Sequence, residues 1–166
     1  MTYVVYGLKQ TRITLYDADG VTAKYRITFQ KEMREGLTLS YKPEGVSHQL
    51  GSAANWATPR THRGFRAHLD IKWDYGLESS VETWNGTAWD PPVSTLTAEA
   101  LSLVFTWAFE APCVVEPHLD KGYAFHAQPD PGRSLDLSDV KGVAHKDLGL
   151  TLIQIDVGPI PVWSTL

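Results

Sequence analysis

The chain holds a single cysteine, Cys113, and two methionines among its 166 residues. One cysteine excludes an internal disulfide and a thiolate-rich zinc site. Set between Pro112 and the pair Val114 and Val115, it reads as a buried, inert thiol rather than a nucleophile. Long apolar runs are missing as well: none approaches the ~20 residues needed to span a bilayer. The opening MTYVVYGLKQTR lacks the charged stretch and long apolar core of a secretory leader. These absences predict a soluble protein made in a reducing cytoplasm, with no membrane partner. Basic runs are also lacking. Fifteen Lys and Arg stand against nineteen Asp and Glu, mixed along the chain for a net charge of −4, which argues against phosphate recognition. There is no G-x-S-x-G, H-E-x-x-H, P-loop or dinucleotide fingerprint, and no internal repeat.

What is present is globular: 43% hydrophobic residues, six Trp and seven Tyr. One domain spanning 1–166 is expected at this length. The dominant pattern is strict alternation. In TRITLY, Ile13 and Leu15 oppose Arg12 and Thr14; after Asp17-Ala18-Asp19-Gly20, Tyr25, Ile27 and Phe29 oppose Lys24, Arg26 and Thr28. That is a β-hairpin with turn chemistry at its tip. Leu37, Leu39 and Tyr41 form a further strand, closed by Pro43-Glu44-Gly45, and residues 45–62 lack any period and read as a long loop. From Phe65 to Tyr75 the alternation returns as one long strand. In VETWNGTAWD, Asn85-Gly86 signals a two-residue turn, which would pair Trp84 with Thr87 and Glu82 with Trp89.

TAEALSLVFTWAFE (97–110) is the one helix: Thr97 caps it, Glu99 suits its positive end and Pro112 stops it. Ala100, Leu103, Val104, Trp107 and Ala108 form one apolar stripe, and Leu101, Phe105 and Phe109 a second. A helix apolar over most of its circumference needs a second cover besides the sheet. LGLTLIQIDV changes phase midway, implying a bulge or burial on both sides, and 158–166 is an extended apolar tail carrying Trp163. The sum is about eight strands and one helix, a β-sandwich or partly closed barrel with a flanking helix.

The chemical candidates are few. In CVVEPHLDKGYAF (113–125), Glu116, His118 and Asp120 alternate with Pro117 and Leu119. An extended chain would line all three on one face, as a metal site or an acid–base edge. Pro117 and the Lys121-Gly122 corner favour a structural turn instead. His68, Asp70 and Lys72 are the solvent side of their strand, and Asp17 and Asp19 lack the remainder of a calcium loop, whose twelfth position is Thr28. Trp56, Trp84, Trp89 and Trp163 fall in loops, a hairpin and the tail, where indoles stack on sugars or anchor subunit contacts. Subunit contacts are favoured, with Trp56, Leu101, Phe105, Phe109 and Trp163 as interface candidates.

GFRAHLDIKWDYG (64–76), a helix, CVVEPHLDKGYAF and a final LGLTLIQIDVG follow one another in an order that resembles small structural proteins of bacteriophage tails. The matching residues are Gly64, Arg66, Leu69 and Trp73 of a G-x-R-x-x-L-x-x-x-W pattern, then Pro117, His118 and Asp120 of a P-H-x-D corner, over residues 61–158. The resemblance implies a tail-tube-like fold and a homo-oligomeric, six-fold ring at the tail tip, baseplate or distal tail. Other tail proteins would sit above and below, and DNA would pass through the lumen without specific binding. It implies a virion component with no enzymatic activity and no cofactor. Two other classes stand beside it: a carbohydrate- or host-surface-binding β-sandwich using the tryptophans, and a metal-dependent hydrolase built on Glu116, His118 and Asp120.

Overall fold

A computed structural model describes residues 10–30, 37–47, 60–72, 78–95, 97–118, 123–132 and 149–156. The alternating segments form nine strands: β1 (Gln10–Tyr16), β2 (Ala23–Gln30), β3 (Leu37–Ser47), β4 (Arg60–Lys72), β5 (Glu78–Thr83), β6 (Val93–Thr95), β7 (Cys113–His118), β8 (Tyr123–Pro129) and β9 (Gly149–Gln154). The helix α1 (Thr97–Glu110) lies between β6 and β7 in the chain. The strands join in one open antiparallel sheet, ordered β3-β4-β9-β8-β7-β1-β2-β5-β6. The molecule is therefore mainly β with a single flanking helix among the described residues.

Alternation sorts each strand into an inner and an outer face. The inner residues Ile13, Leu15, Ile27, Phe29, Ala67, Leu69, Ile71, Cys113, Val115, Phe125, Ala127, Leu150 and Leu152 form one buried core with Ala100, Leu101, Val104 and Ala108 of α1. Those four helical positions lie within one arc at ~100° per residue, which is the face α1 turns to the sheet. Trp107, on one flank, meets Tyr25 edge-on with ring centroids 5.4 Å apart. The N–H of Ala111 still reaches the Trp107 carbonyl at 3.1 Å, and Pro112 then ends the helical ladder.

Tyr41 on β3 and Tyr123 on β8 are both packed against the core, and their phenols lie close enough to perturb each other's ionisation. Two strands, β4 and β9, separate them in the sheet order. Their side chains bridge the inner face across β4 and β9, in a nine-stranded sheet that does not close.

Several boundaries differ from the sequence reading. Pro43-Glu44-Gly45 does not close a strand: β3 continues to Ser47, and Gly45, Val46 and Ser47 pair with His62, Thr61 and Arg60. The expected loop at 45–62 is thus strand at both ends, and its remainder, 48–59, lies outside the described residues. Continuation is possible because the register shifts after Glu44: Glu44 opposes Gly64 and Gly45 opposes His62, leaving Arg63 as an extra residue. Gly64 takes φ 118°, a conformation a side chain resists, so the bulge needs glycine there. The hairpin after β5 is wider than the Asn85-Gly86 signal predicts. Trp84 pairs with Trp89 rather than Thr87, because the Asn85 carboxamide oxygen accepts from both Thr87 N–H and Ala88 N–H and closes a four-residue loop. In β9, Leu150, Thr151 and Leu152 are all buried, so burial on both sides explains the mixed phase there.

Candidate functional site

The edge from Glu116 to Asp120 is the sharpest chemical candidate in the sequence. β7 runs through Pro117 to His118, and Pro117 is tolerated because its carbonyl, not a missing N–H, is used: it accepts from Thr11 Oγ at 3.1 Å. Val115 opposes Phe125, and His118 opposes Tyr123, so Glu116 and Pro117 together face the single residue Ala124. This is a β-bulge, and it removes the premise that Glu116 and His118 continue one period-two face. Asp120 lies outside the described residues. Among the described residues no group of three His, Cys, Asp or Glu is placed to hold a metal ion.

The interface candidates separate by burial. Leu101 is 0% exposed and belongs to the core, since its arc of α1 faces the sheet; it offers no surface to a neighbour. Phe105 is half-buried, and Phe109 remains 46% exposed beside it. The two rings meet edge-on at 4.8 Å, forming a small aromatic ledge on the flank of α1 away from Trp107. Trp56 and Trp163 lie outside the described residues.

Cys113 is fully buried, and its Sγ–H donates to the Ala127 carbonyl at 3.3 Å. Burial pushes the thiol up to about 12, which makes it inert as a nucleophile. The Asp17–Thr22 turn is equally closed to a metal. Asp19 accepts from the N–H groups of Val21 and Thr22 and from the Thr22 hydroxyl, and these bonds lower its carboxyl to about 2.

The outer face of the sheet holds a polar cluster that linear reading does not single out. Arg26 on β2 and Glu82 on β5 are cross-strand neighbours and form two parallel bonds, Nε to Oε2 and Nη2 to Oε1, each 2.6 Å. Hydrogen bonding to Arg26 holds the Glu82 carboxyl below its usual range, and the same bonds raise the guanidinium. The Arg26 guanidinium also lies 4.5 Å from the centre of the Trp89 ring. Trp89 in turn meets Trp84 edge-on at 5.2 Å. One strand further in, Arg12 of β1 stands opposite Glu116 of β7. The signal for this cluster is alternation alone, and it becomes visible only when the strand order is known.

No described helix is long and apolar enough to cross a membrane. No family model, curated protein or solved structure matches the chain.

Proposed function

We propose that the protein is a structural component of a bacteriophage tail, a ring-forming subunit of the tail tip, baseplate or distal tail surrounding the DNA conduit. The observation that carries this reading is the Phe105–Phe109 ledge, aromatic surface left exposed on the one described helix that flanks an open sheet. Clustered exposed aromatics on a rigid helix are the kind of surface that subunit contacts bury. The ordered motifs of residues 64–76 and 113–125 support the same family, and a net charge of −4 suits a conduit that should not hold DNA phosphates.

The carbohydrate-binding alternative would use Trp84 and Trp89. Arg26 already covers one face of Trp89 and Trp84 abuts it, which leaves less flat indole for a sugar to stack on. The ring reading is therefore preferred. Light scattering and negative-stain electron microscopy of the purified chain test it: closed rings or stacked tubes are expected, with Phe109→Ser reducing them to smaller species. A chain that stays monomeric at every concentration, unaltered by Phe109→Ser, would sink it.

A further inference from the structure

The loop closed by Trp84 and Trp89 brings together groups that can react with one another. Asn85 precedes Gly86, and both are exposed. Gly86 takes φ 99°, and no neighbour lies within 4 Å of the place where a Cβ on it would stand. Its N–H donates to no group among the described residues, so the nitrogen is uncovered on an open side of the loop. The Asn85 carboxamide, by contrast, is fully engaged. Its Oδ1 accepts from Thr87 N–H and Ala88 N–H, each at 3.0 Å, and its Nδ2 donates to Asp90 Oδ1 at 3.0 Å. Two N–H groups on one carbonyl oxygen draw electron density away from Cγ and stabilise the oxyanion that forms when a nucleophile adds there. The Gly86 nitrogen is tethered to that carbon through the backbone, so no second molecule has to be positioned for the attack.

We infer that Asn85 is a deamidation site and that its conversion opens the Trp84–Trp89 loop. The Gly86 nitrogen adds to Asn85 Cγ and a cyclic imide forms. The Cγ–Nδ2 bond breaks, and Nδ2 departs as ammonia with the proton given up by the Gly86 nitrogen. Water then opens the imide at either carbonyl. Hydrolysis at Cγ leaves aspartate; hydrolysis at the backbone carbonyl leaves isoaspartate, with the chain running on through Cγ. One water enters, one ammonia leaves, and no oxidant or reductant is needed.

Both products act against the loop. Aspartate replaces the Nδ2 donor with a carboxylate oxygen, so two like charges face each other across the 3.0 Å that now holds Asn85 to Asp90. Isoaspartate inserts an extra methylene into the backbone of a loop whose ends are bridged at Trp84 and Trp89. Trp89 meets Trp84 at 5.2 Å and lies 4.5 Å below the Arg26 guanidinium. Opening the loop therefore loosens the outer-face cluster as well. The change runs one way, because ammonia is lost, and it moves the net charge of −4 one unit further. It is independent of the ring reading, which uses α1.

The purified folded chain, held in mildly alkaline buffer beside a sample unfolded in urea, tests the chemistry. Intact mass, peptide mapping and enzymatic labelling of isoaspartate follow both over days. The folded chain is expected to exchange NH2 for OH in the peptide carrying Asn85, with aspartate and isoaspartate both present. Asn55, the other asparagine of the chain, precedes Trp56, whose bulk hinders ring closure, and is expected to stay intact. Asn85→Asp installs one product from the start and is expected to melt below the unaltered chain in circular dichroism. Adding Asp90→Asn returns a donor to face the new carboxylate and is expected to recover the loss. A folded chain that stays unconverted while the unfolded one converts would overturn the proposal and make the loop a shield for Asn85. Conversion with an Asn85→Asp chain that melts together with the unaltered protein would overturn the claim that the loop opens. The mass measurement needs no variant, so it decides the site even where Asn85→Asp fails to fold.

Discussion

At the scale of single residues, the clearest roles belong to side chains that satisfy specific backbone or side-chain groups. Asp19 holds the β1–β2 turn through three donors. Its folded carboxyl titrates at about 2, below the ~3.9 of an unstructured Asp. A depressed carboxyl contributes stability that is present above the unfolded value and lost as pH falls through the folded one. Asp19→Ala should therefore lower the melting temperature at neutral pH, and the difference from the unaltered chain should narrow between about pH 4 and pH 2, read by circular dichroism melts. Arg26 acts likewise on Glu82, and with side chains only 22% and 14% exposed the pair is more sheltered than an ordinary surface bridge. Arg26→Ala leaves Glu82 without its two bonds and should cost about 1–3 kcal/mol in urea unfolding at neutral pH. Glu82 also titrates low, so that cost should shrink as the solution is acidified below the ordinary carboxylate range. An equal loss at neutral pH and in acid would show that packing, not the charge pair, is what Arg26 supplies. Asp19 is legible in the sequence because its partners sit within three residues. The Arg26–Glu82 pair is not, because its members are separated by 56 positions and meet only through strand pairing.

At the scale of elements, local chemistry predicts existence well and ends poorly. The helix is found at 97–110, beginning at Thr97 and ending before Pro112, and the first hairpin forms as expected too, since helix-stop and turn residues act within a few positions. The β3–β4 hairpin runs past its apparent stop because Pro43 and Gly45 sit at a bulge, where a missing donor or side chain does little harm. The same bulge depends on Gly64 at φ 118°. Replacing it with Ala forces a side chain into that conformation and should destabilise by about 1–3 kcal/mol, read from the urea midpoint. A change of a few tenths would mean that the strand relaxes into a regular ladder. For the edge at 113–120 a bulge has the opposite effect: period-two counting suggests one polar face, and the doubled residue at Glu116 and Pro117 breaks the count. On α1, pattern alone does not separate the two apolar stripes. Leu101 borders the buried arc of Ala100, Val104 and Ala108, whereas Phe109 falls well beyond it, so the first is core and the second surface. Leu101→Ala should accordingly cost about 2–5 kcal/mol, whereas Phe109→Ser should barely alter unfolding of the subunit.

At the scale of the whole molecule, the sheet order interleaves strands far apart in the chain: β9 lies between β4 and β8, and β1 between β7 and β2. No local signal encodes that order, which is why fold class is legible and topology is not. Tyr41 of β3 and Tyr123 of β8 show the consequence: two strands lie between them, yet both pack against the core and each perturbs the other's ionisation. The Tyr41 hydroxyl is buried without a well-formed hydrogen bond, and burial together with Tyr123 raises its ionisation well above the ordinary phenol range. Its ring, not its hydroxyl, is therefore the stabilising part. Tyr41→Phe removes a poorly satisfied polar group and should leave stability unchanged or slightly higher. Tyr41→Ala should cost about 3–5 kcal/mol, because an aromatic ring packed against the core is withdrawn. If the two rings support each other, Tyr41→Ala and Tyr123→Ala should together cost less than the sum of the two, since each alone already opens the same contact. Strictly additive losses in urea unfolding would mean that the two tyrosines stabilise separate regions of the core.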